Sequence, residues 1–162
     1  MKTIHIAVIA ITFAFGSFIA PAAWPADPHT RSMDHVMLTP GDLKWDDVPA
    51  LPPGAKVALL EGPPNEAVPF MMRLKFPANY RVPAHWHPAI EHLTVLSGTF
   101  NMGIGEKLDM KKTKPLSAGG VMIIQPKTPH FAWTKEEVTV QVHGVGPWGV
   151  TYVDPTEDPR KK

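Results

Sequence analysis

The chain has 162 residues, enough for one compact domain and too few for two of ordinary size. Its 16 Lys and Arg face 15 Asp and Glu, so net charge gives no electrostatic reason to expect nucleic acid or an anionic membrane as partner. There is no cysteine, which excludes thiolate metal sites and thiol nucleophiles.

The first 22 residues read as an export signal. Lys2 is their single charge, Ile4 to Ala20 is largely apolar, and Ala20-Pro21-Ala22 sets small residues at −3 and −1 of a cleavage site. Without Lys2 the two signs balance at 15 each. A membrane anchor is the competing reading; His5, Gly16 and Ser17 weaken it. The expectation is a mature protein in the periplasm or outside the cell, with no membrane attachment after cleavage. Residues 23–34, which include His29, are polar and proline-containing and read as a flexible lead-in.

From His35 the chain breaks at Pro, Gly and Asn into short segments. Strands are predicted at 35–39, 43–48, 56–61, 68–76, 81–86, 92–97, 99–104, 116–117, 121–125, 130–134, 138–143 and 149–153. Several alternate with period two, as in Val138, Val140 and Val142 against Thr139, Gln141 and His143. No helical stripe appears beyond the signal. Many short strands at close spacing predict an all-β barrel or sandwich of the jelly-roll kind over 35–153. The tail 154–162 has no apolar residue and is expected to fray or lie on the surface.

Chemistry concentrates in two segments. In His85-Trp86-His87 the i,i+2 spacing puts both imidazoles on one strand face, and Glu91 can return a carboxylate to that face across a turn begun by Pro88. Leu93 and Val95 share the parity of Glu91, and Gly98 ends the run. The second segment runs from Gly120 through Pro126 and Pro129 to His130, placing another imidazole after an apolar strand and a proline-stiffened turn. Three imidazoles and a carboxylate suit one divalent ion of Mn, Fe, Co, Ni, Cu or Zn, and ligand type alone selects none of them. Ligands on separate strands leave one or two coordination positions open, the mark of a catalytic site. Because the imidazoles must be neutral to bind, affinity is expected to fall below about pH 6.

The neighbours get blander readings. His92 has the opposite parity to Glu91 and faces outward. His143 is expected at the surface or in a hydrogen bond rather than in the cavity. His35 opens the first strand without a visible partner. Trp86, Phe131 and Trp133 are read as packing rather than as a substrate clamp. Arg73 and Lys75 are read as a solvated strand face, with anion binding at a barrel mouth as the alternative.

His85-x-His87-x3-Glu91-x6-Gly98 resembles the first motif of the cupins, and Gly120-x5-Pro126-x3-His130 resembles the second, with 21 residues between Gly98 and Gly120. The resemblance covers about Val68 to Val145 and is nearest to small exported single-domain cupins of the ChrR-like group. Three positions depart from the motifs: Ala78-Asn79-Tyr80 where a glycine is usual, Thr128 for a glycine, and Thr134 for an asparagine. The resemblance implies a double-stranded β-helix in which His85, His87, Glu91 and His130 hold one metal ion, and it suggests a homodimer. It also implies a small-molecule substrate, bound to the ion through carbonyl, enolate or carboxylate oxygens. Dioxygenase-like C–C cleavage is the first choice of reaction, and decarboxylase, lyase or isomerase chemistry the second, with Glu91 as candidate catalytic base. The other class of function is a non-catalytic module that binds or senses a small ligand or metal.

Overall fold

The computed structural model describes residues 35–162. The expected signal over 1–22 and lead-in over 23–34, with His5 and His29, lie outside the described residues. One compact unit runs from Leu38 to Lys162.

Eleven strands form among the described residues: β1 (Asp46–Asp47), β2 (Lys56–Glu61), β3 (Pro69–Phe76), β4 (Arg81–Trp86), β5 (Glu91–Ser97), β6 (Thr99–Ile104), β7 (Lys114–Ser117), β8 (Val121–Ile124), β9 (His130–Thr134), β10 (Val138–Val145) and β11 (Thr151–Tyr152). They make two sheets, ordered β1-β2-β3-β10-β5-β8 and β11-β4-β9-β6-β7. The chain crosses repeatedly from one sheet to the other, and neighbouring strands pair antiparallel. This is the predicted jelly roll.

Period-two alternation decides which face each strand buries. In β3, Phe70, Met72, Leu74 and Phe76 are buried, while Met71, Arg73 and Lys75 turn outward. In β10, Val138, Val140 and Val142 are completely inaccessible. Each such valine contributes about 1.5–3 kcal/mol of transfer free energy. Between the sheets, Phe76 of one stacks on Phe100 of the other at 5.2 Å.

The turns explain the three motif departures. Gly98 has φ of +74°, and a Cβ there would lie 2.5 Å from the Glu137 carbonyl oxygen, so only glycine closes β5 onto β6. Before β4 the left-handed position falls on Asn79 (φ +60°), a residue type that tolerates it. Before β9 it falls on Lys127 (φ +59°), which frees the next residue, Thr128, from needing to be glycine. Buried Thr134 donates to the Pro77 carbonyl at 2.7 Å and accepts from the Tyr80 N–H at 3.1 Å, tying β9 to the turn that launches β4.

The strand expectations change at two places before β2. The strand predicted at 43–48 narrows to Asp46–Asp47. Residues 35–39 form no strand: Thr39 and Asp42 bond to each other (2.6 and 2.7 Å), and with Pro40 they start a 3-10 turn over Pro40–Asp42. The tail takes the second of its two expected forms and lies on the surface, ordered by its turns. Asp154 and Asp158 cap two further 3-10 turns, Pro155–Glu157 and Pro159–Lys161, by accepting from the backbone of Thr156 (2.9 Å) and Arg160 (3.0 Å). Each Asp is followed by Pro, the N-cap and first-turn pair that pre-sets a helical turn. Among the described residues, no helix is long and apolar enough to cross a membrane.

Candidate metal centre

Strand register brings the four predicted ligands together. His85 sits inside β4 directly opposite His130, the first residue of β9. His87 follows just beyond β4, and Glu91 opens β5 in the facing sheet. All four are buried. The ligating nitrogens of His85, His87 and His130 lie within 4.8 Å of one another, so this trio could hold a metal ion. Glu91 Oε2 is 3.4 Å from both His87 Nε2 and His130 Nε2.

The second nitrogen of each ring fixes its protonation. His85 Nδ1 lies 2.8 Å from the Pro83 carbonyl, His87 Nδ1 2.8 Å from the Gly149 carbonyl, and His130 Nδ1 3.0 Å from the Thr128 carbonyl. A carbonyl only accepts, so each Nδ1 carries the proton and donates it. In the neutral ring Nε2 is then a lone pair aimed at the centre, the tautomer a metal requires. Burial, followed by the neighbouring His130 and His87, pushes the His85 imidazole down to about 3, so His85 stays neutral at ordinary pH. Burial alone would raise the Glu91 carboxyl; donation from His130 and His87, when those rings carry a second proton, outweighs it and holds the group below the usual carboxylate range, and with both rings neutral that donation is lost.

These features leave acceptors facing one another. Among the described residues, His87 Nε2 and Glu91 Oε2 are buried and have no hydrogen-bond partner. Unpaired buried acceptors are costly, and a shared cation relieves the cost. Atoms about 2.1 Å from a common ion at tetrahedral angles stand roughly 3.4 Å apart, matching the contacts Glu91 makes. The donor set therefore fits a divalent ion.

The cluster closes one side of a cavity of about 290 Å³ whose lining is otherwise almost wholly apolar, including Met72, Phe76, Phe100, Met122 and Trp148. Besides the four predicted ligands, Arg160 is the only ionisable group lining it among the described residues. Arg73, the arginine considered for a cavity mouth, lies instead on the outer face of β3 and donates to Gln141 Oε1 at 3.3 Å. His92 and His143 are cross-strand neighbours on that same outer face, their rings stacked at 5.1 Å. Phe131 is buried beneath Gly103, where a Cβ would meet its ring at 2.3 Å. Trp86 and Trp133 are half-buried, and neither lines the cavity.

Sequence reasoning missed three participants. Trp148 stacks on His87, with ring centroids 4.2 Å apart and planes 21° apart. Gly149 supplies the carbonyl that orients His87, and Arg160 reaches the cavity from the tail. The only local cue was an aromatic residue between turn-forming Gly146-Pro147 and Gly149.

No family model and no curated protein matches the sequence. Solved structures do match in fold. The polyketide cyclase RemF from Streptomyces resistomycificus is 20% identical with a TM-score of 0.65, over 79% of this chain and 92% of that one. An RmlC-like cupin from Ralstonia eutropha gives 19% and 0.60, over 78% and 77%. A candidate acetylacetone dioxygenase from Methylibium petroleiphilum gives 17% and 0.59, over 80% and 88%. At these identities the likeness establishes the fold, and the fold is that of the cupins.

Proposed function

We propose that this chain is an exported, metal-dependent enzyme acting on a small and mostly apolar molecule that presents oxygen atoms to one divalent ion. His85, His87, His130 and Glu91 would hold the ion. The observation that carries this reading is the set of three carbonyl-anchored imidazoles whose free nitrogens meet a partnerless carboxylate at the polar side of an apolar cavity. A bound ion would supply Lewis acidity or, for a redox-active metal, oxygen activation.

The chain's own groups define the rest. The cavity, near the lower end of the roughly 300–1,000 Å³ usual for ligand sites, favours a compact hydrophobic body over a sugar or a polyacid. Phe76, Phe100, Trp148 and the methionines give that body an apolar lining to pack against. Among the described residues Glu91 is the only carboxylate lining the cavity, which makes it the group to accept a proton from substrate. Dioxygenase-like cleavage is the favoured chemistry, with decarboxylase or lyase action next. That two of the fold relatives are a polyketide cyclase and a candidate acetylacetone dioxygenase is in keeping with small oxygenated substrates. The export component rests on the leader over 1–22 alone.

One observation favours a second reading, a non-catalytic binding or sensing module: among the described residues, the four ligands and Arg160 apart, the cavity offers no ionisable group for acid–base work. Elemental analysis of the purified mature protein, with oxygen uptake on β-diketones, catechols and flavonols and CO₂ release from dicarboxylates, separates the two. Stoichiometric metal with turnover is the expected result. Tight ligand binding without turnover would establish the module, and absence of metal would end both metal-based readings.

A further inference from the structure

The segment from Trp148 to Val153 does more than complete a sheet. It presents the Trp148 ring to one face of His87 (4.2 Å) and the Gly149 carbonyl to His87 Nδ1 (2.8 Å), so the orientation of that imidazole depends on where this strap lies. Val150, at its centre, is buried in the core, but no packing holds Gly149 itself. A Cβ built on Gly149 would find nothing within 4 Å, and β11 pairs with β4 through only two residues, Thr151 and Tyr152. Ties hold the strap at its two ends: the Trp148 N–H to the Pro64 carbonyl at 2.6 Å, the Tyr152 hydroxyl to the Ala50 carbonyl at 2.9 Å, and the Val153 N–H to the Ala84 carbonyl at 2.9 Å.

Next to Gly149 the strap is held by the C-terminal tail. Arg160 Nη2 donates to the Val150 carbonyl at 3.0 Å. Asp158 aims that guanidinium with a two-pronged contact, Nε to Oδ1 and Nη2 to Oδ2, each 2.8 Å. Asp158 is buried and also caps the turn that carries Arg160. The fork geometry leaves the side chain little freedom. A run of direct contacts thus leads from Asp158 through Arg160 and Val150 to Gly149 and His87.

We propose that Arg160 is a positioning residue for the metal centre: by holding the Val150 carbonyl it keeps the Gly149 carbonyl on His87 Nδ1 and so fixes His87 Nε2 for ligation. The inference rests on the metal-centre reading above. Partners that orient ligating histidines typically change metal affinity about 10–100-fold when removed. Arg160 acts one contact further out, so the lower end applies.

The test is a Co²⁺ titration of the full mature chain, read by calorimetry and by the visible absorption of the bound ion. Arg160→Gln is expected to raise the Co²⁺ Kd about 10-fold and to shift the absorption envelope, because His87 is the ligand that moves. Arg160→Lys retains one donor for Val150 and should fall between the two. Asp158→Asn, which leaves the arginine in place but poorly aimed, should weaken Co²⁺ binding about threefold and serves if Arg160→Gln folds poorly. An unchanged Kd and spectrum in Arg160→Gln, with only a lower melting temperature of the metal-free protein, would overturn the proposal and make the tail a stabilising element alone. If the unaltered chain fails to bind Co²⁺, the metal-centre reading falls first, and that failure is visible before any variant is made.

Discussion

The two walls of the candidate centre are built differently. On one side, His85, Glu91 and His130 belong to paired strands, where ladder hydrogen bonds fix the backbone and parity fixes the direction of each side chain. On the other, His87 lies just past its strand and takes its orientation from the loop-borne Trp148 ring and Gly149 carbonyl. The strand wall is specified by residue identity at fixed spacing. The strap wall is specified by backbone atoms and a distant arginine. Changes to the first should abolish binding, and changes to the second should tune it.

The sharpest way to break that contrast is to remove a ligand from the strand wall. His130→Ala takes away one of three converging nitrogens and the Thr128 anchor contact with it. Metal affinity should fall at least 100-fold, measured as metal retained after dialysis against a weak chelator. Retention of stoichiometric metal by this variant would mean that the trio is not the ligand set.

Acid tests both walls at once. His85 titrates near 6.5 when unfolded and about 3 when folded, so between those values the unfolded chain binds more protons and stability falls as pH falls. Glu91, also lowered in the fold, acts in the same direction below the usual carboxylate range. Stability that depends on a neutral His85 is complete above about pH 6.5 and is lost toward pH 3, at up to about 1.4 kcal/mol per pH unit. The melting temperature of the metal-free protein should therefore drop steadily from pH 7 to pH 4. Saturating metal should raise it most at pH 7, where protons do not compete for the ligands. A flat profile would show that His85 is not held neutral by burial.

The strap wall should respond more gently. Trp148→Leu keeps an apolar side chain but loses the ring stacked on His87, a contact worth about 0.5–1.5 kcal/mol beyond burial. Metal affinity by calorimetric titration should fall by at most about 12-fold, the limit reached if the whole contact energy acts on the bound state. A loss as deep as that of His130→Ala would erase the distinction between the walls.

How far the sequence carried follows the same division. Strands β2, β4, β6 and β9 fall at their predicted bounds because turn residues bracket them and alternation marks the buried face. The four ligand candidates converge because i,i+2 spacing and a closed sheet leave few alternatives. Trp148, Gly149 and Arg160 were not legible as site residues. Their contribution depends on contacts across long sequence separations, 62 residues in the case of His87 and Gly149, and a carbonyl has no residue signature. The tail, expected to fray or to lie on the surface, lies on the surface, and the two Asp-Pro pairs that cap its turns were a readable signal of its order.

Arg73 provides the smallest and most discriminating comparison. From sequence, it and Lys75 were the cations considered for a barrel mouth, yet the parity of β3 that buries Met72 and Leu74 necessarily turns both outward. The guanidinium of Arg73 contacts Gln141 on the outer sheet face, and Arg160 lines the cavity instead. Arg73→Gln should leave metal affinity unchanged and alter stability by no more than about 0.5 kcal/mol, as for surface substitutions away from special features. Made beside Arg160→Gln, it separates a general effect of lost positive charge from a contact-specific one, since both variants remove the same charge. Equal losses of metal affinity in the two would show that long-range electrostatics governs the centre. A loss confined to Arg160→Gln leaves the route through Val150 and Gly149 as its cause.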